Sequence, residues 1–247
     1  SPARPISVEL TSTQAVALGA VPSPLEPQVW RRRLRIDSSV FDRHRLIGLA
    51  GSLMLALGGT AAGALPKRDP FSHVPLIQQL RFPQTAPVAM VIAYGGVALL
   101  GVAWLFLGRL VGTPGGPTQR SLLVTLALWA APLVVAAPMF SRDVYSYAAQ
   151  GWMVAQHANP YFWGPAAIPG PYLTDVSQLW ANTPAPYGPV FLMLARAVVG
   201  VANGQPVPMV FGFRLIALVG VLLLARYLPR LARHCGVGAD KALWLGV

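Results

Sequence analysis

Twenty residues from Leu46 to Leu65 pass without a charge, and the run from Pro87 to Gly108 is uncharged as well. Coiled into helices rising 1.5 Å per residue, both runs reach across roughly 30 Å of hydrocarbon. A helix that is apolar all round must be covered all round, and a bilayer is the simplest cover. Composition agrees: 54% of the 247 residues are hydrophobic and 11% charged, with a mean hydropathy of +0.53. The expected fold is therefore an all-α polytopic membrane protein. The net charge of +11 does not point to nucleic acid. Its basic residues cluster beside the uncharged runs, where they act as topology signals. The single cysteine, Cys235, excludes an internal disulfide and lacks the partners of a Cys-based metal site.

Residues 1–40 read as a cytoplasmic basic tail, with Arg31-Arg32-Arg33-Leu34-Arg35 held inside against anionic lipid heads. A first span near 46–65 leads outward. Lys67, Arg68, Asp69, His73 and Arg81, set among prolines, make the next stretch an outer loop. A second span near 87–108 returns to a turn flanked by Arg109 and Arg120, which suits the cytoplasmic face. The third span, near 121–139, is interrupted by Pro132 and Pro138, as membrane helices tolerate when neighbours satisfy the freed carbonyls. Residues 140–206 form a large outer loop. Within it Pro189–Ala202 is too short to cross, and a crossing there would send Arg226, Arg230, Arg233 and Lys241 outside. The fourth span is thus placed near 207–228, and a further one begins at 242–247, as in part of a longer polypeptide.

Acid is scarce. The eight carboxylates are Glu9, Glu26, Asp37, Asp42, Asp69, Asp143, Asp175 and Asp240. Asp143, in Ser141-Arg142-Asp143-Val144-Tyr145-Ser146-Tyr147, directly follows the third span. A charge at the edge of the hydrocarbon is by default a functional group; the plainer reading is an anion favoured at a helix N-terminus. With Ser141 as cap, residues 143–157 form a helix with an apolar line of Val144, Ala148, Trp152 and Ala155. Asp143, Tyr147, Gln150, Val154 and His157 share another stripe, so a carboxylate, a phenol and an amide face the same way. Such a helix lies along the membrane surface. Asn159-Pro160-Tyr161 ends it. Trp163, Tyr172, Trp180 and Tyr187 follow, either as an interfacial belt or as platforms under sugar rings. Asp175 is either a helix cap or a second site carboxylate. Arg214, in the outer leaflet of the fourth span, either snorkels or meets an anionic lipid head group.

Three stretches carry a resemblance: Phe140-Ser141-Arg142-Asp143-Val144-Tyr145-Ser146-Tyr147-Ala148-Ala149-Gln150-Gly151, then Asn159-Pro160-Tyr161 with Gly164-Pro165, then Thr183-Pro184-Ala185-Pro186-Tyr187-Gly188-Pro189. They resemble the actinobacterial polyprenol-phosphate-mannose-dependent α-1,6-mannosyltransferases of the GT-C superfamily, which build the mannan backbone of lipomannan and lipoarabinomannan. The resemblance covers residues 41–247. It implies the N-terminal part of a GT-C-like transmembrane domain, multi-pass in the plasma membrane, with its active site on the outer, periplasmic face. It further implies Asp143 as the catalytic residue, polyprenyl-phosphate mannose as donor and a lipid-anchored mannan as acceptor. C-terminal spans of the same enzyme would complete the donor site.

That chemistry suits the residues. Transfer from a β-linked polyprenyl phosphate to a 6-hydroxyl with an α product inverts the anomeric carbon, so one general base suffices. The phosphate leaving group needs cationic or hydrogen-bond stabilisation and no proton; Arg142 and Arg214 are the candidates. Tyr147, Gln150, Asp175 and Tyr187 complete the candidates for substrate contact. No cofactor is expected, and a divalent metal is left open. No Gly-rich nucleotide cradle appears. The competing classes are a transporter or channel subunit, which broken helices would also suit, and a non-catalytic membrane scaffold. The topology is checked by a reporter fused after Lys241, expected inside. Its appearance outside would make 189–202 a true span.

Overall fold

The computed structural model describes residues 38–60, 63–67 and 74–246. The basic tail, up to position 37, lies outside the described residues, as do Arg68, Asp69 and His73. In order, the helices are α1 (Ser38–Gly58), α2 (Pro75–Arg81), α3 (Ala86–Leu110), α4 (Gln119–Val135), α5 (Asp143–Ala155), α6 (Gln178–Ala181), α7 (Pro189–Ala202), α8 (Pro206–His234) and α9 (Ala239–Gly246). Two 3-10 turns, Pro165–Ala167 and Leu173–Asp175, lie between α5 and α6. The described residues are mostly helical and contain no strand, only an isolated antiparallel bridge between Gly63 and Met139.

Among the described residues, α3 and α8 are the two helices long and apolar enough to cross a membrane. The apolar helices α4 and α7 are shorter, at 17 and 14 residues, or roughly 25 and 21 Å at 1.5 Å per residue. α1 begins well before the uncharged run, because the charges that bound that run have structural partners. Arg45 donates from Nε to Thr125 Oγ1 at 3.1 Å and from Nη2 to Ser121 Oγ at 3.1 Å, and lies over the Phe41 ring. Those bonds join α1 to α4. At its other end α1 stops at Gly58, short of Leu65. α4 likewise stops at Val135 instead of Met139, since Ala137 precedes a proline and is pushed out of helical geometry. α8 runs past the expected 228 through Pro229 to His234.

Small residues set the α1–α3 crossing. A Cβ built on Gly96 would sit 2.6 Å from the Gly51 carbonyl oxygen and 2.6 Å from Leu55 N, so the backbones touch as they do at small-residue membrane contacts. α9 is held to α3 by a reciprocal clasp. The Trp104 and Trp244 rings stack at 4.6 Å, and each indole N–H donates to the other's carbonyl, at 3.1 and 3.0 Å. The core that bears on the site lies where α5 meets α7 and α8. Tyr145, Ala148, Ala195 and Met209 are fully buried there. Gly151 makes the α5–α7 approach possible, since a Cβ on it would lie 2.6 Å from the Ala195 backbone carbonyl.

The packing makes two alanine substitutions diverge. Gly101 has open space around its ideal Cβ, so Gly101→Ala should leave the thermal midpoint of the detergent-solubilised protein unchanged or raise it by the gain in helix propensity, up to about 1 kcal/mol. Gly96→Ala should lower it, at an overpacking cost of roughly 1–3 kcal/mol.

Candidate active site

The turn into α5 is tight. Phe140 takes a left-handed φ of 63°, and Ser141 Oγ accepts the Asp143 N–H at 3.0 Å. The expected serine cap thus acts on the first N–H of the helix, from one position ahead of the capping residue Arg142. The Asp143 carboxylate itself, half-buried in the first helical turn, has no hydrogen bond or ion pair among the described residues.

Asp143 opens onto a cleft of about 80 Å³ lined by Ser146, Tyr147, Gln150, Trp180, Thr183, Pro184, Pro186 and Tyr187. The expected stripe of carboxylate, phenol and amide is therefore brought together, and Tyr187 joins it from the loop. Two contacts fold that loop back. Ala185 N–H donates to the Pro160 carbonyl at 2.8 Å, and Tyr161 Oη donates to the Tyr187 carbonyl at 2.9 Å. Tyr147 is edge-on to Tyr187 and Phe191, with centroids 5.2 and 5.4 Å away. Burial, followed by a hydrogen bond with Tyr187 and the charges of Tyr187 and Asp143, pushes the Tyr147 phenol up to about 12. Tyr147 is thus a neutral hydroxyl near Asp143 and no second base. Ser146, which the sequence reading passed over, lies between Asp143 and Gln150 on the same stripe. Its place at i+3 from Asp143 was the available signal.

Asp175, Arg142, Tyr172 and Arg214 lie elsewhere. Asp175 is buried and does not line the cleft. Instead of capping a helix, its Oδ1 accepts the Lys67 N–H at 2.7 Å and faces Arg142 Nη1 at 4.0 Å. Arg142 donates to the Asp175 carbonyl at 3.1 Å and to the Leu65 carbonyl at 3.3 Å. Both residues fasten the strip 63–67 against the start of α5, helped by Tyr145 Oη donating to the Ala64 carbonyl at 2.7 Å. Tyr172 is a packing residue, 1% exposed, with its hydroxyl accepting the Gly204 N–H; burial raises its phenol too.

Arg214 lies in a different cavity. This space, of about 450 Å³, is walled by apolar residues of α1, α4 and α8, including Leu53, Leu57, Val135, Val210 and Phe211. Tyr145 contributes to its wall, and Arg214 is the charged residue in its lining. Arg214 donates to the Val134 carbonyl at 2.7 Å and to the Ala136 carbonyl, capping the broken end of α4 with two of its five N–H groups. α5 therefore borders both spaces, the apolar cavity through Tyr145 and the smaller cleft, with its polar side chains, through Asp143, Ser146 and Tyr147. No group of three or more His, Cys, Asp or Glu side chains comes together among the described residues.

The described residues thus join two membrane-length helices to a carboxylate that opens onto an aromatic-walled cleft. Comparison with known proteins supplies the class. The model of the α-(1→6)-mannopyranosyltransferase N-terminal domain matches residues 45–247, and the chain belongs to that family. It is 37% identical over 201 residues to α-(1→6)-mannopyranosyltransferase A of Mycobacterium tuberculosis, covering 81% of this chain and 39% of that protein. It is 40% identical over 208 residues to a probable α-(1→6)-mannopyranosyltransferase of Mycolicibacterium smegmatis, covering 83% and 37%. With α-(1→6)-mannopyranosyltransferase B of Corynebacterium glutamicum it shares 36% identity over 238 residues, covering 91% and 38%. The chain thus spans under two fifths of the length of these relatives. No solved structure matches it.

The Tyr147 phenol offers a direct check on the cleft. Its folded value lies above the free phenol's 10.0, so its contribution to stability is fully present below pH 10 and falls away as pH rises toward about 12. Phenolate absorbance should show a late-titrating group in the parent that Tyr147→Phe removes, with the alkaline loss of stability reduced in the variant.

Proposed function

We propose that this chain forms the acid-bearing part of a membrane α-1,6-mannosyltransferase that takes mannose from polyprenyl-phosphate mannose and adds it to a lipid-anchored mannan. The observation that carries the reading is the two-sided placement of α5. Its polar side suits a sugar hydroxyl held against a carboxylate. Its other side borders an apolar cavity with one guanidinium in its lining, which suits a hydrocarbon chain ending in a phosphate.

In this reading the acceptor's 6-hydroxyl gives its proton to Asp143 as its oxygen attacks the anomeric carbon. The bond from that carbon to the phosphate oxygen breaks, and the electron pair leaves on the phosphate. Arg214, with three N–H groups beyond those it spends on α4, balances the developing charge. Arg142, already held by two backbone carbonyls, keeps the outer strip in place. α1, α3, α4 and α8 cross the membrane in a GT-C-like arrangement, with α5 and α7 at the outer face, in the plasma membrane. Further spans of the full-length enzyme complete the donor site. The reading calls for no resident cofactor and leaves a divalent metal open. The names of the relatives favour this over a transporter or scaffold.

The test uses the full-length protein in membranes, supplied with isotope-labelled polyprenyl-phosphate mannose. Asp143→Asn should cost roughly 10² to 10⁴ in turnover, the scale of a lost general base, with the protein inserted and donor binding intact. Asp175→Asn should lower thermal stability while turnover per folded molecule stays close to the parent. Transfer by Asp143→Asn at the parent rate would end the assignment.

A further inference from the structure

Ser146 and Gln150 carry a cost that the fold does not repay. They are 4% and 3% exposed, yet Ser146 Oγ and Gln150 Oε1 have no hydrogen-bond partner. A buried polar atom left unpaired is unfavourable and calls for a reason. Ser146 does not even use the carbonyl one turn back, the usual refuge of a serine inside a helix. Both side chains line the cleft that Asp143 opens onto. At positions i, i+3 and i+7, the carboxylate, hydroxyl and amide share one stripe of α5.

The size and walls of the cleft select the ligand. The cleft is small, about 80 Å³, and open on one side. It suits a ligand that enters by one edge, such as a hexose ring with adjacent hydroxyls. Tyr187, Trp180, Pro184 and Pro186 give the rim apolar surface for the C–H face of a sugar. From these features we infer that Ser146 and Gln150 bind the acceptor mannose along the edge that carries its attacking hydroxyl. Gln150 Oε1 accepts from one ring hydroxyl, and Ser146 Oγ pairs with the group between that hydroxyl and Asp143. The two residues thereby orient the nucleophile on the base and select for a hexose in this position. The inference rests on the proposed function and adds the identity of the sugar-gripping groups.

The experiment measures transfer by the full-length enzyme in membranes at saturating donor. Ser146→Ala and Gln150→Leu should each raise the acceptor KM by roughly three- to tenfold, the scale of one hydrogen bond. Donor KM should stay at the parent value. The thermal midpoint should hold or rise, because the free enzyme loses no bond. Among acceptors each lacking one hydroxyl, the analogue without the contacted group should bind parent and variant equally. An unchanged acceptor KM, a parallel rise in donor KM, or a fall in midpoint without a KM change would overturn the inference. Asp143→Asn separates the two levels. If it is inactive while both variants keep the parent acceptor KM, this inference fails and the proposed function stands; if it transfers normally, the proposed function fails first.

Discussion

A helix that ends in a packed interior must find donors for the carbonyls of its last turn. Two helices of this chain break near the site. α1 ends at Gly58 and α4 at Val135, and the segments that follow are stitched to each other and to α5. Ala64 N–H donates to the Pro138 carbonyl at 2.9 Å. Tyr145 takes the Ala64 carbonyl, Arg142 takes that of Leu65, and Arg214 takes those of Val134 and Ala136. Two arginines and a buried tyrosine thus do what continuous helix would have done. In exchange, the broken ends leave room for an apolar cavity and fix the rotation of the helix that bears Asp143.

Fixing α5 matters because its two sides face different surroundings. Rotation about the helix axis by one position, 100°, would carry Asp143 away from the cleft. Three kinds of contact oppose that rotation. Tyr145 is bonded to the strip 63–67, Gly151 is pressed onto Ala195, and Tyr147 is wedged among Tyr187, Phe191 and Phe213. The aromatic wedge explains the loop aromatics better than a membrane belt does for Tyr187. Trp163, 61% exposed, has no such role.

What could be read from the sequence was local. The uncharged run 87–108 and the apolar stretch near 207–228 were legible as α3 and α8 because length and hydropathy suffice for a helix of that kind. The stripe from Asp143 to Gln150 was readable because helical spacing alone decides which side chains share a face. Misplaced features depended on distant partners. α1 starts early since Arg45 bonds to Ser121 and Thr125, and Asp175 anchors a backbone N–H at Lys67. Periodicity carries no trace of such pairings. Ser146 was missed for another reason: a serine beside a candidate acid looks like filler until its burial and its missing partner are known.

The two carboxylates between α4 and α6 show how burial and pairing divide roles between like groups. Asp175 receives a backbone N–H on one oxygen, faces a guanidinium, and belongs to the clamp on residues 63–67. A substrate hydroxyl that took Oδ1 would displace the Lys67 N–H and loosen the clamp on residues 63–67. Asp143 has spent none of its lone pairs among the described residues, although its helix has been fixed around it. Its neighbours on the cleft side are a neutral phenol, a hydroxyl and an amide, none of them a cation that would occupy it. A group kept free at the head of an otherwise clamped helix is positioned for a ligand and contributes nothing to the clamp. That asymmetry, more than proximity to the membrane, is why the proposed reaction assigns the base to Asp143 and not to Asp175.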